Sequence, residues 1–430
     1  MKVHLRMLGC RLNQAEIDRM ARQFQRQGHE IVADPVEADQ VIVNTCAVTQ
    51  EATKSSRKLV RELHYANANA AIAVTGCYAH IAPDEIAVLP GVNRVVDNLA
   101  KEKLVESITG VPVEPFDAEP IVRDETLPGA ARRTRAFIKA QDGCDNSCTF
   151  CITTVARGAG RSRPIADIVA ETQRLQAIDY QEIVLTGVHL GSYGYDFGDP
   201  DGLIQLVRAI LAETDMPRVR LSSLEPWDLS PEFFDLWSDS RVCRHLHLPL
   251  QSGSDATLKR MRRNTNQASF RRLIHIARQQ IPDVSITTDV IVGFPGETDE
   301  EFANSKAFIE EMDFAGMHIF RYSKRDSTPA ARMRNHIPDK IKKARSAQLH
   351  ELASEGEKRF AARFLGASAD ILWEHVSGAT QDGFINVGYT DHYIRACAIF
   401  PRPLTNHITS ARILDYDMNK GQLLVEPAIE

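Results

Sequence analysis

Gly143–Cys151 reads GCDNSCTFC, three cysteines at the spacing C-x3-C-x2-C. The run follows Thr134–Ala140, which reads as a β-strand, so it is a loop at a strand's carboxyl end. Three thiolates on one short loop can hold three irons of a [4Fe–4S] cluster, which otherwise takes four cysteines. The fourth iron is then open to a substrate or cofactor. A structural zinc site wants a fourth Cys or His, and none lies within this loop. A zinc knuckle or incidental thiols is the plainer alternative.

Working outward, strand and helix patterns alternate from Arg132 to Asn335. Six strands are predicted: Thr134–Ala140, Glu182–Thr186, Val219–Ser223, His245–Leu250, Ser285–Val292 and Met317–Tyr322. Helical patterns lie between them at Pro164–Ala177, Leu203–Glu213 and Glu300–Glu311. Six βα units are too few to close an eight-unit barrel, so an open partial barrel is expected, with its chemistry at the strands' carboxyl ends. Pro338–Phe364 reads as one long polar helix.

The first hundred residues alternate in the same way. Val3–Met7, Gln40–Asn44 and Ala70–Thr75 read as strands, and Asn13–Arg26 as an amphipathic helix with Ile17, Met20 and Phe24 on one face. That pattern predicts an open parallel sheet with helical crossovers. Val111–Pro128 is rich in Pro, Asp and Glu and reads as a linker. After Gly366 helix patterns vanish. Ala369–Val376, Phe384–Gly388, Tyr393–Phe400, Ile408–Asp415 and Gln422–Val425 read as short strands of a small oligonucleotide-binding-like barrel. The expected class is α/β: an N-terminal open parallel α/β domain (1–115), a central partial (β/α)6 barrel (130–364) and a small all-β barrel (365–430).

Composition bounds the function. The 430 residues are 43% hydrophobic and 25% charged, which excludes a disordered, collagen-like or coiled-coil chain. Lys and Arg number 51 and Asp and Glu 57, a net charge of −6, which excludes a globally basic nucleic-acid binder but not a local basic patch. The N-terminal segment lacks the apolar core of a signal peptide, and no stretch approaches the roughly 20 apolar residues of a membrane span. A cytoplasmic chain with reduced thiols is expected, and clustered thiols there point to metal.

The eight cysteines divide further. Cys10, Cys46 and Cys77 stand in the contexts LGC, NTC and TGC, each ending a predicted strand. An open parallel sheet binds ligands at its strands' carboxyl ends, so these three are expected to converge on a second cluster. Cys243 and Cys397 have no partner at ligand spacing and read as packing residues.

GCDNSCTFC resembles the signature loop of the radical S-adenosylmethionine superfamily, whose fold is a six-unit partial barrel. With a three-cysteine domain before it and a small barrel after it, nearly the whole chain resembles the methylthiotransferase family, in which the small barrel is the TRAM domain. GCRLNQAE (Gly9–Glu16), TGVHLGSYG (Thr186–Gly194) and FRYSKRDSTPAARM (Phe320–Met333) look most like the MtaB group. That group acts on N6-threonylcarbamoyladenosine beside the tRNA anticodon.

The resemblance implies two [4Fe–4S] clusters, one on Cys144, Cys148 and Cys151 and an auxiliary one on Cys10, Cys46 and Cys77. It implies S-adenosylmethionine in two roles: one molecule methylates a cluster-bound sulfur, and the other yields a 5′-deoxyadenosyl radical that removes hydrogen from C2 of the adenine. It also implies a tRNA substrate, a flavodoxin- or ferredoxin-like electron donor and a sulfur donor. A monomer is expected. The alternatives are a ribosomal-protein aspartate methylthiotransferase, or a noncatalytic metal-containing RNA-binding protein.

The other candidate residues follow the family pattern. Thr186 and Gly187 are expected to hold the methionine part of the cofactor. Gly293 and Gly296 are expected to seat its adenosine part, or to be a plain turn with Glu297 complementing a helix start. Gln251 and Ser252 read as ribose contacts, or as a strand-end turn with Ser254 capping Asp255–Met261. Glu225 is expected to meet the cofactor amine or the substrate, or to pair with an arginine. His189 is expected as an exposed loop histidine, with proton transfer the sharper reading.

RNA contact is expected from local charge. Thr257–Arg278 carries seven basic residues (Lys259, Arg260, Arg262, Arg263, Arg271, Arg272 and Arg278) and no acid. Arg132, Arg133, Arg135, Arg157, Arg161 and Arg163 flank the cysteine loop. The last 66 residues disagree, with four basic residues against eight acidic, which suits a basic protein substrate better than RNA. Phe384, Tyr389 and Tyr393 are aromatic candidates for base stacking, or core positions.

Overall fold

The computed structural model describes residues 1–113 and 134–428. Arg132, Arg133, Glu430 and most of the expected linker lie outside the described residues. The N-terminal sheet comprises β1 (Lys2–Met7), β2 (Glu30–Ile31), β3 (Gln40–Thr45), β4 (Ala71–Gly76) and β5 (Val92–Val95), all parallel, in the order β2-β1-β3-β4-β5. β3 is buried throughout because both faces are covered. Ile42 meets Ile17, Met20 and Phe24 of the helix Arg11–Arg26, while Val41 and Val43 meet Leu59, Val60 and Leu63 of Gln50–Ala66. The two-residue β2 and four-residue β5 carried no sequence pattern long enough to read.

The central layer contains β6 (Arg135–Lys139), a short antiparallel ribbon of β7 (Gln141–Asp142) and β8 (Arg161–Ser162), then β9 (Glu182–Thr186), β10 (Arg218–Leu221), β11 (His245–His247), β12 (Ser285–Val292) and β13 (Gly316–Arg321). Six of these run parallel as two three-stranded sheets, β10-β9-β6 and β11-β12-β13. Parallel bridges Val219–Val242 and Ser223–His247 join them. This is the expected partial (β/α)6 barrel. Helices cover its outside, and Ile183, Leu185, Val219, Leu246, Ile286 and Val290 pack against them. The helix Arg11–Arg26 of the first layer lies against β6.

The long helix Asp339–Ala362 belongs to two cores. Leu349 and Leu352 join the half-barrel core; Phe360 and Ala361 join that of the last unit. Burying Phe360 contributes about 2 kcal/mol. That unit is a closed barrel of β14 (Ser368–Thr380), β15 (Gly383–Thr390), β16 (Arg395–Phe400), β17 (Ile408–Asp417) and β18 (Gln422–Pro427), ordered β14-β15-β16-β18-β17. Trp373 fills its centre and donates Nε1 to Thr409 Oγ1 at 2.7 Å.

The small barrel seats on the amino-terminal rim of the half barrel. Arg218 donates to the carbonyls of Tyr389 and Asp370, and Arg220 to that of Asp391. Arg244 pairs with Asp391 at 2.6 Å and Arg135 with Glu374 at 2.6 Å. Part of the barrel's acidity is therefore spent on neighbouring arginines. Tyr389 and Tyr393 stack on each other at 5.1 Å in this seam, with Arg135 against both rings, so they belong neither to the barrel core nor to a free stacking surface.

Candidate functional site

The cysteine loop follows β7, and Gly143 makes its turn. Gly143 has φ +77°, and a Cβ there would lie 1.9 Å from the Ala159 carbonyl oxygen, so only glycine fits. Cys144 N–H donates to Gly158 O at 3.0 Å and Thr149 N–H to Met261 O at 3.0 Å, which pins the loop across the strand ends. Burial pushes the Cys148 thiol up to about 11 and raises that of Cys151. Arg263 offsets part of the rise at Cys148, its Nη1 lying 3.8 Å from Cys148 Sγ, and His189 Nδ1 lies 3.8 Å from Cys144 Sγ.

His189 is not an exposed loop histidine. It is 5% exposed, with Nε2 2.5 Å from Asp228 Oδ2. Burial alone would lower its pKa, but the hydrogen bonds to Asp228 and Cys144 push it up to about 10. Asp228, 39 residues away in sequence, was the unread partner. Glu225 is committed to Arg263 at 3.1 and 2.5 Å, and Trp227 stacks on the same guanidinium at 4.4 Å.

Cys10, Cys46 and Cys77 converge at the carboxyl edge of β1, β3 and β4. Gly76 permits it: its φ is +98°, and a Cβ would lie 2.3 Å from the Thr45 carbonyl oxygen. Burial pushes Cys46 up to about 11, and the nearby Cys77 and Cys10 add to the rise. Cys10 Sγ is 3.9 Å from Asn13 Oδ1, and Arg157 Nη2 donates to that same oxygen at 2.7 Å. Arg157 ends the helix Thr153–Arg157 that follows the first cysteine loop, so one guanidinium reaches from one thiol set to the other.

Both donor sets fit clusters better than single ions. Among the described residues, the group whose ligand atoms all lie within 4.8 Å is His247, Asp289 and His318, not either thiol set. Each thiolate of a cluster binds its own iron, which calls for wider spacing than one ion. Cys243 is buried in packing beside Arg220, as expected.

A cavity of about 670 Å³ runs through the half barrel. Cys10 and Arg11 line it from the first layer, Thr186, Gly187 and Ser223 from the strand ends, His247, Asp289 and His318 from the inner wall, and Tyr393 from the small barrel. The hydroxyl of Thr186 is spent on Ile138 O at 3.1 Å, and its carbonyl accepts from Ala140 N–H at 2.8 Å, so Thr186 borders the cavity with its hydroxyl and carbonyl already paired. Glu225, Gln251, Gly293 and Gly296 do not line this cavity. Gln251 has φ +71° four residues past β11, where it forms an isolated parallel bridge with Val290 of β12. Gly293 and Gly296 have φ +71° and +78°, in a turn that Glu297 closes by accepting from Gly293 N–H at 2.7 Å and pairing with Arg345 at 2.6 Å. Glu297 therefore braces the turn rather than complementing a helix dipole. Ser254 occupies the N-cap position, but its hydroxyl makes no cap bond.

Sequence reasoning missed His247, Asp289 and His318. A signal was present: Ser285, Thr287 and Asp289 recur every second residue of a strand otherwise rich in Ile and Val, marking a polar inner face.

The basic run is less free than its sequence implies. Arg260 pairs with Glu301, Arg263 with Glu225 and Arg271 with Glu311, and Arg278 donates to Met312 O and Asp313 O. Lys259, Arg262 and Arg272 are exposed without an ion pair among the described residues. Arg135, Arg157 and Arg163 hold Glu374, Glu16 and Glu171.

The half barrel with its three-thiol loop defines a radical S-adenosylmethionine enzyme. The Radical SAM superfamily matches residues 138–309, and the uncharacterized protein family UPF0004 matches residues 2–97. In fold the chain is similar to the radical S-adenosylmethionine methyltransferase TsrM from Kitasatospora setae, at TM-score 0.57 and 16% identity over 77% of each chain. It is 35% identical to the threonylcarbamoyladenosine tRNA methylthiotransferase MtaB of Bacillus subtilis (strain 168), over 97% of this chain and 95% of the relative. It is 38% identical to the MtaB of Thermotoga maritima, over 91% and 90%. The chain belongs to the MtaB family of radical S-adenosylmethionine methylthiotransferases. S-adenosylmethionine and an iron–sulfur cluster come with that membership. Among the described residues no helix is long and apolar enough to cross a membrane.

Proposed function

We propose that this chain adds a methylthio group to C2 of N6-threonylcarbamoyladenosine beside the anticodon of tRNA. The observation that carries it is whole-length similarity, at 35% and 38% identity, to two relatives named for that nucleoside. The ribosomal-protein alternative drew on the acidic barrel, and the pairing of Asp391 and Glu374 with Arg244 and Arg135 gives that acidity another role.

Two [4Fe–4S] clusters are proposed, on Cys144, Cys148 and Cys151 and on Cys10, Cys46 and Cys77. When bound, they and S-adenosylmethionine supply the one-electron chemistry and the sulfur that side chains lack. The chain's own residues do the rest. His189 and Arg263 set positive charge against Cys144 and Cys148, favouring anionic sulfur. Arg157 fixes the distance between the thiol loops. The cavity joining Cys10 to Thr186 and Gly187 offers the space in which the adenosine meets both thiol sets' side of the half barrel. Thr186, Gly187, Gln251, Gly293 and Gly296 are proposed to seat S-adenosylmethionine. Glu225 acts by holding Arg263 rather than by taking the cofactor amine. The functional units are proposed as 1–115 (auxiliary cluster), 130–364 (radical chemistry) and 365–430 (TRAM). A cytoplasmic monomer served by a flavodoxin- or ferredoxin-like reductant and a separate sulfur donor completes the reading.

The test is deletion of the gene and mass spectrometry of tRNA nucleosides. Loss of 2-methylthio-N6-threonylcarbamoyladenosine with accumulation of its precursor is expected. An unchanged nucleoside, with ribosomal-protein methylthiolation lost instead, overturns the substrate assignment.

A further inference from the structure

The inner wall of the half barrel carries a polar cluster that neither thiol set uses. Register builds it. On β12 and β13, Asp289 stands directly opposite His318, and on β11, His247 stands opposite Thr287, two residues before Asp289. Alternate strand residues share a face, so all four point into the cavity. His247 Nε2 lies 3.3 Å from Asp289 Oδ1, and His247 Nδ1 lies 2.9 Å from Thr287 Oγ1. The rings of His247 and His318 are 5.6 Å apart. His247 is thus held on both nitrogens. His318 is not: it makes no hydrogen bond among the described residues and remains exposed to the cavity. Burial lowers its pKa, Asp289 opposes that, and the charges of His247 and Arg11 reinforce it.

This wall has a definite chemical complement. A threonylcarbamoyl group carries a carboxylate, a hydroxyl and urea N–H groups. A free imidazole with Arg11 beside it suits the carboxylate, and Asp289 suits the hydroxyl or an N–H. Asp289 already faces His247 and Arg11 donates to the Tyr393 hydroxyl at 2.7 Å, so an N6 substituent made only of hydrocarbon would bury the His318 imidazole without a partner, and polar pockets reject such analogues far more strongly than apolar pockets reject extra polarity.

We propose that His318, beside His247 and opposite Asp289, receives the threonyl end of the N6 substituent and selects this nucleoside against one bearing an apolar N6 group. The inference rests on the substrate reading above and adds to it the residues that discriminate.

The test is binding of two anticodon stem-loops to the anaerobically reconstituted full chain, identical except for threonylcarbamoyl- or dimethylallyl-adenosine. The wild-type chain is expected to prefer the first. In His318→Phe that ratio of Kd values should fall roughly 10- to 100-fold, the loss of a charged hydrogen bond. His318→Gln, which keeps a donor of similar reach, should retain part of it. In turnover with the threonylcarbamoyl stem-loop, KM should rise more than kcat falls. Circular dichroism and iron content of each variant establish that the fold and clusters are intact. An unchanged ratio in a folded His318→Phe overturns the proposal. So does a bound divalent ion other than iron that is present in the wild type and lost in the variant, because the cluster would then be a metal site. If the wild type instead methylthiolates the dimethylallyl stem-loop, the substrate reading itself has failed, and this inference with it.

Discussion

Arg157 Nη1 lies 2.9 Å from Glu16 Oε1, with both side chains buried. Arg157 follows the Cys144–Cys151 loop and Glu16 follows Cys10, so the pair bolts one thiol set to the other. Glu16 also takes Lys101 at 2.7 Å and Lys139 at 3.3 Å, and Arg157 takes Asp142 at 2.9 Å.

Removing one member of this network leaves its partners charged and buried. Arg157→Met is expected to destabilise the chain by about 3–5 kcal/mol. Chemical denaturation under anaerobic conditions measures it. Glu16→Gln should lower stability in the same way and leave Lys101 without its carboxylate.

The same pair sets an acid limit. Burial would raise the Glu16 carboxyl, but Arg157, Lys101 and Lys139 hold it well below the usual carboxylate range. A carboxyl depressed in the folded state stabilises at pH above its unfolded value, roughly 4.3. That stability is lost as pH falls below this value toward the folded one. Denaturation midpoints measured from pH 7 downward should decline below about pH 4.3, and Glu16→Gln should flatten that decline.

The thiol sets are expected to separate by function. Cys144→Ala should abolish both reductive cleavage of S-adenosylmethionine and methylthiolation. Cys10→Ala should leave cleavage in place and abolish methylthiolation. Each variant should lose about half the iron, as expected for two clusters of four. Liquid chromatography of deoxyadenosine and modified nucleoside reads both outcomes.

The basic run should divide along its ion pairs. Charge reversal at Lys259, Arg262 and Arg272, which are exposed and unpaired among the described residues, is expected to weaken tRNA binding. It should also flatten the dependence of log K on log salt by nearly one unit for each phosphate no longer neutralised. Arg271→Gln, which removes the partner of Glu311, should leave that slope unchanged. Binding titrations across salt concentrations decide it.

Undocking the small barrel is the last expectation. Asp391 accepts from Arg244 and contacts His392, and burial notwithstanding, these hold its carboxyl far below the usual range. Asp391→Ala should cost about 1–3 kcal/mol and increase protease cleavage near Leu365. Cleavage unchanged from the wild type would place the docking energy elsewhere in the seam.

Much of this molecule was legible in its sequence. β9 and β12 were read to the residue, and the other four parallel strands to within a few, because buried strands are short runs of branched apolar residues. The two-residue β2 and the short β5 were not, since so few residues carry no period. His189 was misread because Asp228 and Asn146 reach it from other turns of the chain. The run Thr257–Arg278 looked free of acids for the same reason: Glu225, Glu301 and Glu311 arrive from elsewhere.

The sequence by itself determined the two thiol sets and the order of the three units. Those rest on local spacing and on hydrophobic period, which a chain carries before it folds. Only the tertiary structure decided which charges are spent and which stay free. Arg157 with Glu16, Arg244 with Asp391, and the imidazole of His318, unpaired among the described residues, against Asp289 each depend on strands and helices distant in sequence meeting at angstrom range. Electrostatic pairing falls off with that distance, and sequence alone does not give it.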